Sequence, residues 1–311
     1  MATSPRVSPD EQTSLVADLN LTTRKEQATL GEIIQARLPL ALPPHTDNAF
    51  LYAAGITVFA NVYVAVEEVW RAMLRQESTG FRYSKMFMQL YTSNLFRSGK
   101  LALDMRSLQA KLDADQTTVL ESLKKQSLKY QDAVVERIRE KPHRLFAYAW
   151  AMYLALLDER EQIVQQFRSA GPDFWGVASL DNINCLSMWT FEPTEEVEDI
   201  PAALRSNFAR ATPMLTQEEK DDVITEGRVV FELCAELVQF LDEKVPAVMA
   251  LLESDKQKAL ESNGNQESVL ALVWLQISSL LSPVWRVIVG ILASIGLLDR
   301  PRQVEKESHT D

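Results

Sequence analysis

The sequence predicts an all-α protein, and three observations carry the prediction. Glycine and proline are sparse, at 10 and 13 of 311 residues. Apolar residues recur at helical spacing over long stretches. The longest such stretch, Lys141 to Trp175, is punctuated like a helix at both ends. Pro142 stands where a first helical residue needs no N–H, and Gly171-Pro172 supplies the stop.

Composition narrows the function classes. With 46% hydrophobic residues the chain can bury a substantial core, and a net charge of −11 without a Lys/Arg stripe argues against a nucleic-acid partner. Two cysteines, Cys185 and Cys234, are too few for a disulfide scaffold and read as buried thiols in a reducing compartment.

The elements follow in order. Residues 1–20 lack the basic and apolar regions of a signal peptide and read as a disordered arm. A first helix is expected from Leu21 to Leu42, with Leu30, Ile33, Ile34 and Leu38 as its buried face and Pro43-Pro44 as its end. A second, Asn48 to Arg75, carries the stripe Leu51, Val58, Phe59, Val62, Tyr63, Val66, Trp70 and Met73, with Glu67-Glu68 beside it as a solvated edge. Lys85 to Leu112 forms a third amphipathic region, and Gln116 to Glu140 a polar outer helix. The central helix of Lys141–Trp175 is apolar all round from Leu145 to Leu157, as for a helix surrounded by protein. It then meets four consecutive charges, Asp158-Glu159-Arg160-Glu161. The acidic run Glu192 to Asp199 reads as a loop. Thr216 and Glu219 form a capping box for a helix reaching Glu243, whose Asp221, Asp222 and Glu226 are better explained by the helix dipole than by a metal.

The C-terminal part changes character. Residues 256–268 have linker composition, 269–298 form the most apolar segment of the chain, and 299–311 a polar tail. Leu275 to Leu298 are long enough to span a bilayer, but Arg286, Gln276, Pro283 and four serines make insertion marginal. The segment is expected either to anchor the chain in a membrane, on the cytosolic face of the endoplasmic reticulum, or to pack as helices on a cytoplasmic bundle.

Several separated pieces resemble the haem oxygenase-like proteins of filamentous fungi. They are Thr23-Arg24 with Ala36 to Pro44, Phe59 to Trp70, Lys141 to Leu157, Ala170 to Trp175, and Leu215 to Glu243. The resemblance implies a single-domain helical bundle over residues 21–255, in which a proximal helix and a kinked distal helix sandwich a flat ligand. It also implies a histidine as iron ligand in the first helix, where this chain has Gln27. Paired glycines are implied above the haem, where this chain has Glu159 and Arg160, and an arginine where it has Glu161. A glutamine amide is a poor iron ligand, and side chains at the glycine positions obstruct the close backbone approach. Haem is therefore not the expected cofactor.

The candidate site follows from the charged stretch. Asp158 shares a helix face with Ala151, Leu154, Ala155 and Gln162 and is the neighbour of Glu161 at i,i+3. Asp158 and Glu161 are the expected catalytic residues; with Glu26 and Glu67 they could hold Mg2+ through oxygen ligands. Gln27, Tyr63, Tyr148, Ala151 and Ala155 are expected to line the pocket. The expected function is a divergent, non-haem, lyase-like enzyme of secondary metabolism that cyclises a hydrophobic small molecule, in the manner of a metal-assisted terpene cyclase. A haem-binding protein of weakened activity and a non-catalytic membrane-tethered remnant are the alternatives.

Overall fold

The computed structural model describes residues 15–75, 80–156, 160–195, 197–252 and 254. The chain divides into two units, Met1–Ala250 and Leu251–Asp311, and the architecture below is that of the first. The segments 256–268, 269–298 and 299–311 lie outside the described residues.

Helix α3 (Phe50–Leu74) is the axis of the bundle. Its apolar stripe explains why: Val58, Val62, Val66 and Trp70 recur every three to four residues, and each is fully buried. Leu51 and Phe59, from the same expected stripe, are only half-buried. Helix α6 (Ala114–Glu140) lies along α3 for most of its length, burying Val119, Leu120, Leu123, Val134 and Ile138 and turning its charged residues outward. It starts with a capping box, Asp113 accepting from the Gln116 N–H while the Gln116 side chain accepts from the Asp113 N–H. Helices α4 (Phe81–Leu90) and α5 (Ser98–Gln109) pack on the remaining flanks of α3. Together they are the third amphipathic region, interrupted at 91–97.

The N-terminal expectation needs correcting. Residues 15–20 are not part of an arm but belong to α1 (Leu15–Thr22), with Leu15 and Leu19 buried. Helix α2 (Arg24–Arg37) follows after a break at Thr23, then a short 3₁₀ turn at Pro39–Ala41 and the cis Pro43–Pro44 bond. Both helices lean on the last helix of this unit, α11, which occupies 217–250 of it. Arg228 donates to the Thr22 carbonyl, and Arg37 pairs with Asp242. The approach is close at Gly227, where a Cβ would stand 2.7 Å from Leu19 Cδ2 and 3.3 Å from Thr23 Cγ2. The expected capping box of α11 is present, Thr216 Oγ1 accepting from the Glu219 N–H and Glu219 from the Thr216 N–H. Helix α10 (Ile200–Ala211), capped by Asp199, closes the bundle against α4.

The central stretch starts and stops where Pro142 and Gly171 place it, but it is not one regular helix. It runs as a 3₁₀ turn (Pro142–Arg144), helix α7 (Leu145–Trp150), a π-helical turn (Ala151–Ala155), helix α8 (Arg160–Ser169) and the short α9 (Gly171–Phe174). Residues 145–154 are buried throughout. The loop after α9 is pinned to α5 by Asp104, which accepts from the Ser187 and Met188 N–H groups and the Ser187 hydroxyl.

Candidate functional site

The site is built where the distal segment, α7 and the π-turn, crosses α3. In the π-turn the Leu156 N–H reaches back five residues to the Ala151 carbonyl at 2.9 Å, so the helix accommodates one more residue per turn than the α form. Such turns concentrate at functional sites. Helix α3 supplies two side chains to this turn. Tyr63 donates its hydroxyl to the Met152 carbonyl at 2.8 Å, and Glu67 receives the Tyr153 hydroxyl at 2.8 Å. Burial pushes both tyrosine hydroxyls well above their ordinary titration range, so they stay neutral donors.

Glu67 is the hub. It is fully buried, which corrects the expectation of a solvated edge. Besides Tyr153 it accepts from the Arg97 and Ser98 N–H groups, the Ser98 hydroxyl and the Arg71 guanidinium. A bare carboxylate at this depth would cost several kcal/mol. Five donors, one of them the Arg71 cation, offset that cost, and in doing so they consume the lone pairs a metal would need. Arg97, also fully buried, sends its guanidinium to the carbonyls of Asn94, Leu95 and Thr190 and lies over the Phe191 ring. Glu67 is thus the cap of α5, not a metal ligand.

The other expected ligands fare differently from one another. The Glu161 side chain is 87% exposed, with Arg160 Nη2 at 3.8 Å, and so faces solvent instead of a cavity. Asp158 and Glu159 lie outside the described residues. Glu26, on the first turn of α2, is half-buried, and its Oε2 is enclosed without a hydrogen-bond partner. Among the described residues no three His, Cys, Asp or Glu side chains come together as a metal site.

Of the expected pocket lining, Tyr63, Tyr148 and Ala151 are buried in packed surroundings, while Gln27 and Ala155 are half-exposed. The Gln27 amide donates to Thr23 Oγ1 at 2.8 Å, one turn back on the same side of the helix. Tyr148 donates to Glu226 at 3.0 Å, and Glu226 is held by Arg137 through two bonds and by Arg144 at 3.3 Å. Asp222 takes Lys141 and His143. These acidic positions of α11 are therefore spent on cations of α6 and the start of the distal segment. The sequence leaves this invisible, since the partners lie about 80 to 90 residues away.

His143 is the one buried histidine among the described residues. Its Nε2 meets Asp222 at 2.9 Å, its Nδ1 stands 3.8 Å from Glu219, and its ring stacks on Tyr83. It ties the start of the distal segment to α4 and α11, far in sequence from α2. Cys185 and Cys234 are free, buried thiols as expected, and burial pushes them up to about 11 and about 12. Neither is a ready nucleophile.

The comparisons with known proteins agree with this architecture. No curated protein matches the chain. Among solved structures it is similar to heme oxygenase 2 from Chlamydomonas reinhardtii, determined without heme, at 17% identity and a TM-score of 0.57, covering 73% of this chain and 96% of that one. It is likewise similar to heme oxygenase-1 from the cyanobacterium Synechocystis sp. PCC6803 in complex with heme, at 15% identity and a TM-score of 0.52, covering 80% of this chain and all of that one. At such identities the likeness shows the all-α fold. The family model described as Heme oxygenase matches residues 52–240. That match runs from α3 through the distal segment to α11 and covers most of the chain, so the chain belongs to the haem oxygenase family.

Proposed function

We propose that this chain is a non-haem member of its family, which keeps the helical sandwich to receive an apolar small molecule and has given up axial iron ligation from its first helix. One observation carries the reading. Gln27 stands at the position where the resemblance implies an imidazole, and its amide is turned onto Thr23 Oγ1. The stretch Leu15–Arg37 holds no histidine at all. What α2 offers is amide and carboxylate oxygen, a donor set poorly matched to haem iron in this family's usual manner. The residues of α2 do not fit the group.

The half-buried apolar residues Ile33 and Ile34 of α2 and Leu38 just after it, with Ala155 at the end of the π-turn and Leu156 just beyond, leave apolar surface that suits such a ligand. Cyclisation assisted by a metal on carboxylates of α3 and α8 is not supported, because Glu67 is saturated and Glu161 is exposed. A second reading, retained haem binding, is favoured by the family itself and by Glu26, whose unpartnered oxygen could serve as an anionic ligand on the same helix turn.

Titration of the purified full chain with ferric haem separates the two. The non-haem reading expects no stoichiometric uptake and only the broad absorbance of unligated haem. A sharp, shifted Soret band reaching saturation at one equivalent would overturn it.

A further inference from the structure

The π-turn is gripped from α3 at two points one helical turn apart, one on the backbone and one on a side chain. Tyr63 holds the Met152 carbonyl and Glu67 holds the Tyr153 hydroxyl, each at 2.8 Å. The two tyrosine rings also cross edge to face, with centroids 5.7 Å apart. Both bonds depend on the register. If the turn relaxed into α geometry, the residues beyond it would rotate by about 100° and shift by about 1.5 Å. Met152 and Tyr153 lie inside the turn and would be carried off their partners.

Glu67 also faces the other way. The same carboxylate caps α5 by accepting from the Arg97 and Ser98 N–H groups, and Arg71 braces it from one turn further along α3. The hydroxyl that reads the π-turn and the amides that begin α5 therefore share one acceptor.

We propose that Tyr63 and Tyr153 are positioning residues that hold the distal segment in its π register, and that Glu67 makes this register and the start of α5 depend on one another. The inference rests on the proposed function only in taking the distal segment as a wall of the ligand site. Its mechanical content needs no ligand.

The test is amide hydrogen exchange on the full chain, comparing wild type with Tyr63→Phe and Tyr153→Phe. Each variant removes one hydroxyl and keeps the ring. A net hydrogen bond of typical strength corresponds to roughly five- to tenfold in local opening. Both variants are expected to speed exchange of the Leu156 N–H by about that factor. Tyr153→Phe is expected to speed the Ser98 N–H as well, whereas Tyr63→Phe leaves Ser98 unchanged. An unaltered Leu156 in both variants would overturn the proposal, as would an unaltered Ser98 in Tyr153→Phe. Uniform acceleration that includes the middle of α6 would also overturn it, since that is general destabilisation. No ligand enters the measurement, so its failure is distinct from failure of the haem titration.

Discussion

Two carboxylates, one on α3 and one on α2, differ in how far the fold satisfies them. Glu67, on α3 behind the distal segment, is fully buried and meets five donors. Glu26, on α2, is half-buried and keeps one enclosed oxygen with no partner. Folding has spent the first on holding helices together. The second costs the fold something, of order 1–3 kcal/mol for an unmet acceptor, as do Ser84 Oγ and His143 Nδ1, which are enclosed without a partner too.

The sharpest way to break the comparison is to remove the charge from Glu67. Glu67→Gln keeps the shape but cannot balance the Arg71 cation or accept all five donors, and it is expected to destabilise the fold by about 3 kcal/mol. Chemical denaturation checks this; a loss under 1 kcal/mol would mean that the hub is dispensable.

Acid provides an intermediate effect away from both carboxylates. Hydrogen bonds from Arg82 hold Glu219 down at about 2 against an ordinary 4.5, and Lys141 holds Asp222 below its usual range. Groups depressed in the folded state stabilise above their unfolded titration and lose that contribution as pH falls through the folded value. Melting temperature should fall between about pH 4.5 and 2 more steeply in wild type than in Glu219→Gln. Parallel curves would contradict the assignment.

The smallest effect sharpens the other half of the comparison. Glu26→Met removes the unmet oxygen and adds apolar surface, and it is expected to raise stability by about 1 kcal/mol, or about 2–4 °C in Tm. A lower Tm would show that Glu26 is structural like Glu67.

The parts legible in the sequence are those written locally. The α3 stripe, the punctuation at Pro142 and Gly171, and the capping box at Thr216 depend on neighbours within a few residues, and each stands as expected except Leu51 and Phe59 of the stripe, which are half-buried. Glu67 was not legible in this way. Its pairing with Glu68 looks like a helix edge, and its true partners, Arg97, Ser98 and Tyr153, arrive only when α5 and the distal segment fold onto α3. The π-turn was equally hidden, because Ala151–Ala155 has ordinary helix formers and the Tyr63 and Glu67 contacts to it come from another helix. On the other side, Gln27 stands out only through the resemblance, and the structure adds where its amide goes.

The non-haem reading requires that α2 supply no axial ligand to haem iron, and the decisive check is a side-by-side haem titration of wild type, Gln27→His and Gln27→Ala, followed by electron paramagnetic resonance of the ferric forms. Only Gln27→His is expected to gain a ligated ferric signal and a shifted Soret band. A wild-type protein that takes up one equivalent with a ligated signal, lost in Gln27→Ala, would contradict it.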